Sequence, residues 1–142
     1  MPNRLVIMRG LPGSGKSTVA ARLREAAVAV GNRCEIFSTD EYFMRDGKYH
    51  FNPQLLGQAH DWNKRRAQAA ISLGVEVVII DNTNIQKQHY ADYINYARSF
   101  GYETREEVVG AFDQESVKLC SQRNVHGVPL EAISRMAARF EK

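Results

Sequence analysis

The segment GLPGSGKS at residues 10–17 constrains the fold of this chain more than any other part of the sequence. It fits the pattern G-x-x-x-x-G-K-[ST], in which glycines let backbone N–H groups curve around phosphate oxygens without Cβ clashes. A short apolar run at 5–8 precedes it, and a segment rich in Ala, Leu and Arg at 17–30 follows it. A strand, a glycine-rich loop and a helix in this order predict a phosphate-binding loop, because the N-terminus of a helix attracts anions.

The loop predicts a nucleotide site with defined roles for two side chains. Lys16 is expected to reach the β- and γ-phosphates of ATP, and the Ser17 hydroxyl is expected to hold Mg²⁺. The residues expected to contact ATP are consecutive in the sequence: Gly10, Leu11, Pro12, Gly13, Ser14, Gly15, Lys16, Ser17 and Thr18.

Predicted strands and helices alternate along the rest of the chain. This alternation predicts an α/β fold with a mainly parallel sheet that is covered on both faces. A length of 142 residues suits a single domain. Further strands are predicted at 34–38, 75–80 and 103–109, a loop at 43–52, and helices at 53–73, 87–100, 113–124 and from Pro129 onward.

Two aspartates follow predicted strands, and ligands of parallel sheets bind at the carboxyl ends of the strands. Asp40 is placed to accept the proton of an acceptor hydroxyl; alternatively it belongs to a helix start in which Glu41 closes a capping box with Ser38. Asp81 follows the run VVII and is placed to hold Mg²⁺; alternatively it is part of a turn-forming Asp-Asn cluster.

Other polar residues are candidates for the acceptor side or for the transferring phosphoryl group. Arg123 ends the helix after the last predicted strand, where it either neutralises the transferring phosphoryl group or stabilises the helix C-terminus. His60 and Asn63 share one stripe of the 53–73 helix, and such residues either line a pocket or bond within the core. The acceptor-side candidates are Glu41, Arg45, His60, Asn63, Thr83 and Asn84.

Composition sets weaker limits on partners and location. The net charge of +3 and a pI near 9.0 permit a phosphorylated or nucleic-acid partner without requiring one. Cys34 and Cys120 fit no metal or redox motif, so they are expected to be buried free thiols in a reducing compartment. The first strand follows the N-terminus at once, and no apolar stretch reaches membrane-spanning length, so we expect a cytoplasmic protein without a membrane partner.

The joint spacing of several segments resembles P-loop kinases, namely the 5′-kinase domain of phage polynucleotide kinase and, more closely, the kinase module of NEDD-binding-protein-2-like proteins. The segments that carry this resemblance are 10–18, 38–42, 51–53, 59–63, 79–84, 122–124 and 126–129. It implies a three-layer P-loop NTPase of kinase type with four to five strands, an acceptor-side loop at about 43–52 and a lid at about 120–129.

The resemblance also implies roles and shows departures. Asp40 matches the general base of these kinases, and Arg123 matches a lid arginine. A second lid arginine has no counterpart, because His126 and Gly127 stand there. The arginine that grips the acceptor phosphate in the phage enzyme falls at Phe43, two residues before Arg45.

We therefore expect a kinase that uses ATP and Mg²⁺ and phosphorylates a hydroxyl, with the 5′-hydroxyl of DNA or RNA as the favoured acceptor. The alternatives are a kinase for nucleosides or other small molecules and an ATP-binding module without transfer activity. A simple NTPase is disfavoured because no residue is evident that would position water. The sequence predicts no oligomeric state.

Overall fold

The computed structural model describes residues 2–142 and has a central sheet of four parallel strands in the order β2-β5-β1-β6. The strands in chain order are β1 (Arg4–Arg9), β2 (Cys34–Phe37), β3 (Met44–Arg45), β4 (Lys48–Tyr49), β5 (Val77–Asp81) and β6 (Glu103–Val108). The helices are α1 (Lys16–Ala29), α2 (Leu56–Ser72), α3 (Ala91–Ser99), α4 (Gln114–Arg123) and α5 (Leu130–Arg139). The predicted α/β architecture is confirmed.

Helices cover both faces of the sheet because its central strands are apolar on both sides. Alternate residues of β1 point to opposite faces. Leu5 and Ile7 pack with side chains of α2 and α3, whereas Val6 and Met8 pack with side chains of α1. Every residue of β5 is buried. The result is the expected three-layer arrangement, with the carboxyl ends of β1, β2 and β5 at one edge.

The predicted loop at 43–52 contains a small hairpin that the sequence analysis did not predict. Strands β3 and β4 pair antiparallel, with Met44 opposite Tyr49 and Arg45 opposite Lys48. Asp46 and Gly47 form the two-residue turn with φ angles of 51° and 75°. Positive φ at both turn residues is what a tight hairpin requires, and Asp-Gly is a favoured pair for it. The strands are too short to show alternation, which explains the difference.

A second difference concerns how the helices begin. A 3₁₀ turn spans Thr39–Phe43 directly after β2 and carries the capping box between Ser38 and Glu41. Short 3₁₀ turns at Pro53–Leu55 and Lys87–His89 precede α2 and α3, so both α-helices begin later than predicted. Asn52 caps the first of these two turns by accepting a hydrogen bond from the Gln54 N–H.

A fully buried arginine joins β1 to the C-terminal end of the chain. The Arg9 side chain is 1% exposed, and its guanidinium donates to the carbonyls of Asn84, Ile85 and Glu141. It also pairs with Glu106 at 3.0 Å. These acceptors satisfy the charge that burial would otherwise make costly. Arg9 immediately precedes Gly10, so this network anchors the start of the phosphate-binding loop.

The cysteines and the apolar character of the helices were also predicted from the sequence. Cys34 and Cys120 are buried free thiols, as predicted. Among the helices of residues 2–142, none combines the length and apolar character needed to cross a bilayer.

Replacing Arg9 by methionine is expected to lower the free energy of unfolding by about 3–5 kcal/mol, because buried carbonyls lose their donor. Urea denaturation followed by circular dichroism measures this change. Arg33→Met is the control, since Arg33 is mostly exposed and pairs with Glu76 at the surface. We expect the control to lose less than about 1 kcal/mol. Equal losses in the two variants would contradict the anchoring role of Arg9.

Candidate active site

The glycines of the loop at 10–17 allow close packing on two sides. A Cβ at Gly10 would lie 2.6 Å from the Ser14 Oγ and 2.8 Å from the Val109 carbonyl oxygen. Gly13 has a φ of +81°, and a Cβ there would collide with the Cys120 carbonyl of α4. Gly15, with a φ of +93°, faces open space at the start of α1. The loop is therefore held between Val109, which follows β6, and α4, with an open side at the helix N-terminus.

The first turn of α1 is joined to the end of β5 by one side-chain hydrogen bond. The Ser17 hydroxyl donates to Asp81 Oδ2 at 2.8 Å. Asp81 is 8% exposed, and its other carboxylate oxygen, Oδ1, is buried without a hydrogen-bond partner. A buried carboxylate oxygen without a partner is costly unless a cation or water is bound there.

The donor set at this position fits Mg²⁺. A serine hydroxyl and one carboxylate are hard oxygen ligands, and Mg²⁺ commonly takes one or two such groups and completes its shell with water and phosphate. No cluster of three or more His, Cys, Asp and Glu side chains that could hold a metal occurs within residues 2–142. The pair of Ser17 and Asp81 thus suits a cation that arrives with a nucleotide.

Both carboxylate oxygens of Asp40 have a polar neighbour. The Tyr49 hydroxyl in β4 donates to Oδ1 at 3.1 Å. His126 Nδ1, in the loop after α4, lies 3.2 Å from Oδ2. Burial, together with the neighbouring Asp40 carboxylate, raises the pKa of Tyr49 well above its usual value, so the phenol keeps its proton and donates.

The second strand brings Asp40 to the site, and a small hydrogen-bond network holds the following turn. The Thr39 N–H donates to the Asn82 side-chain oxygen at 2.9 Å. The Thr39 hydroxyl lies 3.0 Å from His60 Nδ1 on α2. These contacts link the ends of β2 and β5 to α2, which explains why Asp40 and Asp81 lie at the same edge of the sheet.

A cavity of about 660 Å³ lies at this edge, between the loop at 10–17, the hairpin and the segment that connects α4 to α5. It brings together residues from widely separated parts of the sequence. The predicted site residues that line it are Pro12, Gly13, Gly15, Lys16, Ser17, Thr18, Asp40, His60, Asp81, Thr83 and Arg123.

Three predicted ATP contacts, Gly10, Leu11 and Ser14, are not part of the cavity lining. Leu11 is fully buried in a cluster with Val117 and Ile133. Gly10 is buried, and its N–H donates to the Thr83 carbonyl. The Ser14 Oγ is buried without a partner. These residues shape the loop, and only their backbone is left as a contact candidate.

Four predicted acceptor-side residues also lie outside the cavity lining. Asn63 is completely buried and donates to the Tyr93 hydroxyl, so it bonds within the core. Asn84 is 2% exposed and donates to the Met8 carbonyl. The Glu41 carboxylate accepts from the Ser38 N–H, which is the capping-box alternative. Arg45 is exposed on β3.

The cavity lining also includes residues that were not predicted as site residues, among them Tyr49, Asn82 and His126. The Asp46-Gly47 pair is a hairpin signal that, if used, would have folded Tyr49 back toward Asp40. His126 falls within the lid expected at about 120–129, but no local signal predicts its contact with Asp40, because that contact depends on how α4 packs against the loop at 10–17.

The pKa of His60 is expected to lie below 6.5 in an NMR titration. Burial lowers this pKa, the neighbouring His89 lowers it further, and the Asp40 carboxylate partly offsets the shift. Asp40→Asn should therefore lower the pKa of His60 further, whereas Asp92→Asn, at an exposed position on α3, should leave it unchanged. A rise in the pKa of His60 in the Asp40→Asn variant would contradict this arrangement.

The chain is similar to known proteins along nearly its whole length. Residues 5–142 match the family described as AAA domain. The chain is 37% identical over 138 residues to human NEDD4-binding protein 2, covering 97% of this chain and 8% of that protein. It is 28% identical over 161 residues to human YLP motif-containing protein 1, covering 99% of this chain and 7% of that protein. The chain thus spans less than a tenth of the length of these relatives.

Solved structures share the fold. A chain in the Pnkp1/Rnl/Hen1 RNA repair complex aligns with a TM-score of 0.73 and 20% identity, covering 98% of this chain and 44% of that chain. Chaetomium thermophilum Kti12, solved with ADP-AlF3, aligns with a TM-score of 0.64 and 17% identity, covering 97% of this chain and 80% of that chain. At these identities the likeness establishes a kinase-like P-loop fold.

These matches confirm the resemblance to P-loop kinases of the NEDD4-binding protein 2 type. Because the family match extends over nearly the whole sequence, the chain belongs to the AAA domain family.

Proposed function

We propose that this domain transfers the γ-phosphate of ATP to a hydroxyl group, and that the favoured acceptor is the 5′-hydroxyl of a polynucleotide. One observation carries the proposal. Lys16, the pair of Ser17 and Asp81, and Asp40 line the same cavity. A cation for phosphate, a metal position and a carboxylate for proton transfer are the groups that phosphoryl transfer needs.

On the donor side, backbone N–H groups of the loop at 10–17 would bind the phosphates. Lys16 would neutralise the β- and γ-phosphates, and Arg123 would offset the charge of the transferring group. Ser17 and Asp81 would hold Mg²⁺, which supplies charge neutralisation and orients the phosphate oxygens when it is bound.

On the acceptor side, Asp40 would orient the hydroxyl and accept its proton as the new O–P bond forms and ADP leaves. For this step one of its oxygens must be free to meet the hydroxyl. Tyr49 donates to Oδ1 and fixes the carboxylate, whereas His126 lies on Oδ2, so the Oδ2 side is the one assigned to the acceptor.

Similarity supports the choice of a polynucleotide acceptor. A structural relative belongs to an RNA repair complex, and the chain carries a net charge of +3, which favours a polyanionic partner. The same fold also serves an APS kinase from Mycobacterium tuberculosis, solved with AMPPNP and APS, so a small-molecule acceptor is the alternative.

Transfer from γ-labelled ATP to 5′-hydroxyl DNA, 5′-hydroxyl RNA, nucleosides and small hydroxyl compounds tests the proposal. We expect labelled oligonucleotide as the main product. Transfer to small molecules alone would support the alternative acceptor. Tight ATP binding without transfer to any acceptor would indicate a nucleotide-binding module.

Asp40→Asn is expected to lower kcat by about 100- to 10,000-fold, because an amide cannot accept the proton. Affinity for ATP, measured by calorimetry, should change little, since the polar partners of Asp40 are Tyr49 and His126 and not residues of the phosphate-binding loop. Asp46→Asn is the matched control, because Asp46 lies in the hairpin turn outside the cavity, and asparagine tolerates its positive φ. Retained transfer in Asp40→Asn would exclude Asp40 as the base.

Asp81→Asn is expected to raise the Mg²⁺ concentration needed for half-maximal transfer by about 10- to 100-fold, because the carboxylate charge is lost. Titration of activity against Mg²⁺ at saturating ATP measures the shift. Asp92→Asn is the control at an exposed helical position. An unchanged Mg²⁺ requirement in Asp81→Asn would contradict the assignment of the metal to Ser17 and Asp81.

A further inference from the structure

The ring of His126 lies flat against the ring of Tyr49 inside the cavity. The two ring centroids are 4.1 Å apart, and the planes differ by 18°. Both residues line the cavity, and they come from separate segments, the hairpin and the 124–129 loop between α4 and α5. This spacing is the one at which planar aromatic rings stack. The face of Tyr49 is thus a surface that accepts a flat ring.

The Tyr49 ring is held in place by several neighbours. Its hydroxyl donates to Asp40 at 3.1 Å. The buried Phe43 contacts it edge to face, and Phe51 lies nearly parallel to it with centroids 6.1 Å apart. A ring fixed in this way loses little conformational freedom when it binds a partner, which favours affinity.

The stacking position adjoins the proposed general base. His126 Nδ1 lies 3.2 Å from Asp40 Oδ2, so any ring that takes this place lies next to the carboxylate oxygen assigned to the acceptor hydroxyl. The 5′-terminal residue of a polynucleotide carries a flat base and the 5′-hydroxyl on one sugar. Its base and its hydroxyl can therefore address Tyr49 and Asp40 together.

We infer that the ring face of Tyr49 binds the terminal nucleobase of the acceptor, in the position that the His126 imidazole occupies in the structure. The inference rests on the proposed function, because it concerns the acceptor of that reaction. Tyr49 is assigned as a residue that selects acceptors with a base at the phosphorylated end, and His126 as the group that the base displaces.

The character of the cavity wall agrees with a base as the occupant. Phe51, with 49% of its surface exposed, and Leu56 line the cavity beside Tyr49, so an apolar surface extends outward from the stacking position. Aromatic stacking is tolerant of base identity, because each base presents a π-face. The acceptor site should therefore require a base while showing little preference among the four.

The test compares two 5′-hydroxyl oligonucleotides that differ only at the 5′-terminal residue. One carries a base there, and in the other the terminal residue is abasic, with hydrogen in place of the base. The oligonucleotide with the terminal base is tested both as DNA and as RNA, which shows whether the base is bound from a DNA end or an RNA end. With the wild-type domain we expect KM for the abasic acceptor to be about tenfold higher, with a smaller change in kcat. Equal KM values for the two acceptors would overturn the inference.

Variants separate stacking from the hydrogen bond to Asp40. Tyr49→Phe keeps the ring and loses the hydroxyl that fixes Asp40. It should therefore retain the tenfold difference in KM between the two acceptors, while kcat falls. Tyr49→Leu should remove the preference. His126→Ala should lower KM for the acceptor with a base and not for the abasic one, because it removes the competing ring. His50→Ala, at an exposed position near the hairpin, should leave both KM values unchanged.

Fluorescence anisotropy of the two labelled oligonucleotides gives a second readout that does not need transfer. One outcome is that neither oligonucleotide is phosphorylated, that the wild-type domain binds the one with the terminal base more tightly, and that Tyr49→Leu binds both equally. In that case the proposed function fails and the stacking site stands. If transfer occurs and no variant changes the preference, the proposed function stands and the stacking site fails. Absence of both binding and transfer would overturn the inference.

Discussion

The hydrogen bond from Ser17 to Asp81 is the contact on which the geometry of the cavity depends. It joins the first turn of α1, which follows the phosphate-binding loop, to the last residue of a strand that is buried along its whole length. Strand β5 pairs with β1 on one side and β2 on the other, so its carboxyl end fixes the relative positions of the loop and of Asp40. A hydroxyl and a carboxylate placed on such rigid elements would need little rearrangement to hold the proposed cation.

A second constraint lies on the opposite side of the phosphate-binding loop. Arg9 gathers carbonyl groups from the segment after β5 and from the end of the chain, and its guanidinium stacks on Tyr90 and Phe140. Phe140 in turn stacks on Phe112 after β6. Arg9 thus links the segment after the last helix to the central sheet, and the Glu141 N–H adds a hydrogen bond to the Ile85 carbonyl. The loop at 10–17 begins at the residue next to this anchor.

The donor half of the site is local in sequence, which is why it could be predicted. The glycines, Lys16 and Ser17 lie in eight consecutive residues, and Asp81 ends a strand whose burial is evident from the apolar run VVII. The acceptor half depends on tertiary packing. Whether Asn63 faces a pocket or the core depends on where α3 packs, and the partners of Asp40 depend on a hairpin of two-residue strands. Hydrophobic periodicity places Asn63 on one stripe of its helix but does not distinguish a pocket from the core, and it does not predict the hairpin.

The missing Cβ of Gly13 has a mechanical consequence for the segment after α4. Because the backbone of the loop touches the Cys120 carbonyl directly, the body of α4 and the phosphate-binding loop form one rigid unit. Asn124 then closes the following turn through hydrogen bonds with Ser121 and Val128. We therefore expect a motion that uncovers Asp40 to pivot beyond Asn124, because α4 itself is held against the loop. In the proposed reaction, Arg123 would therefore keep its place on α4 when His126 leaves Asp40.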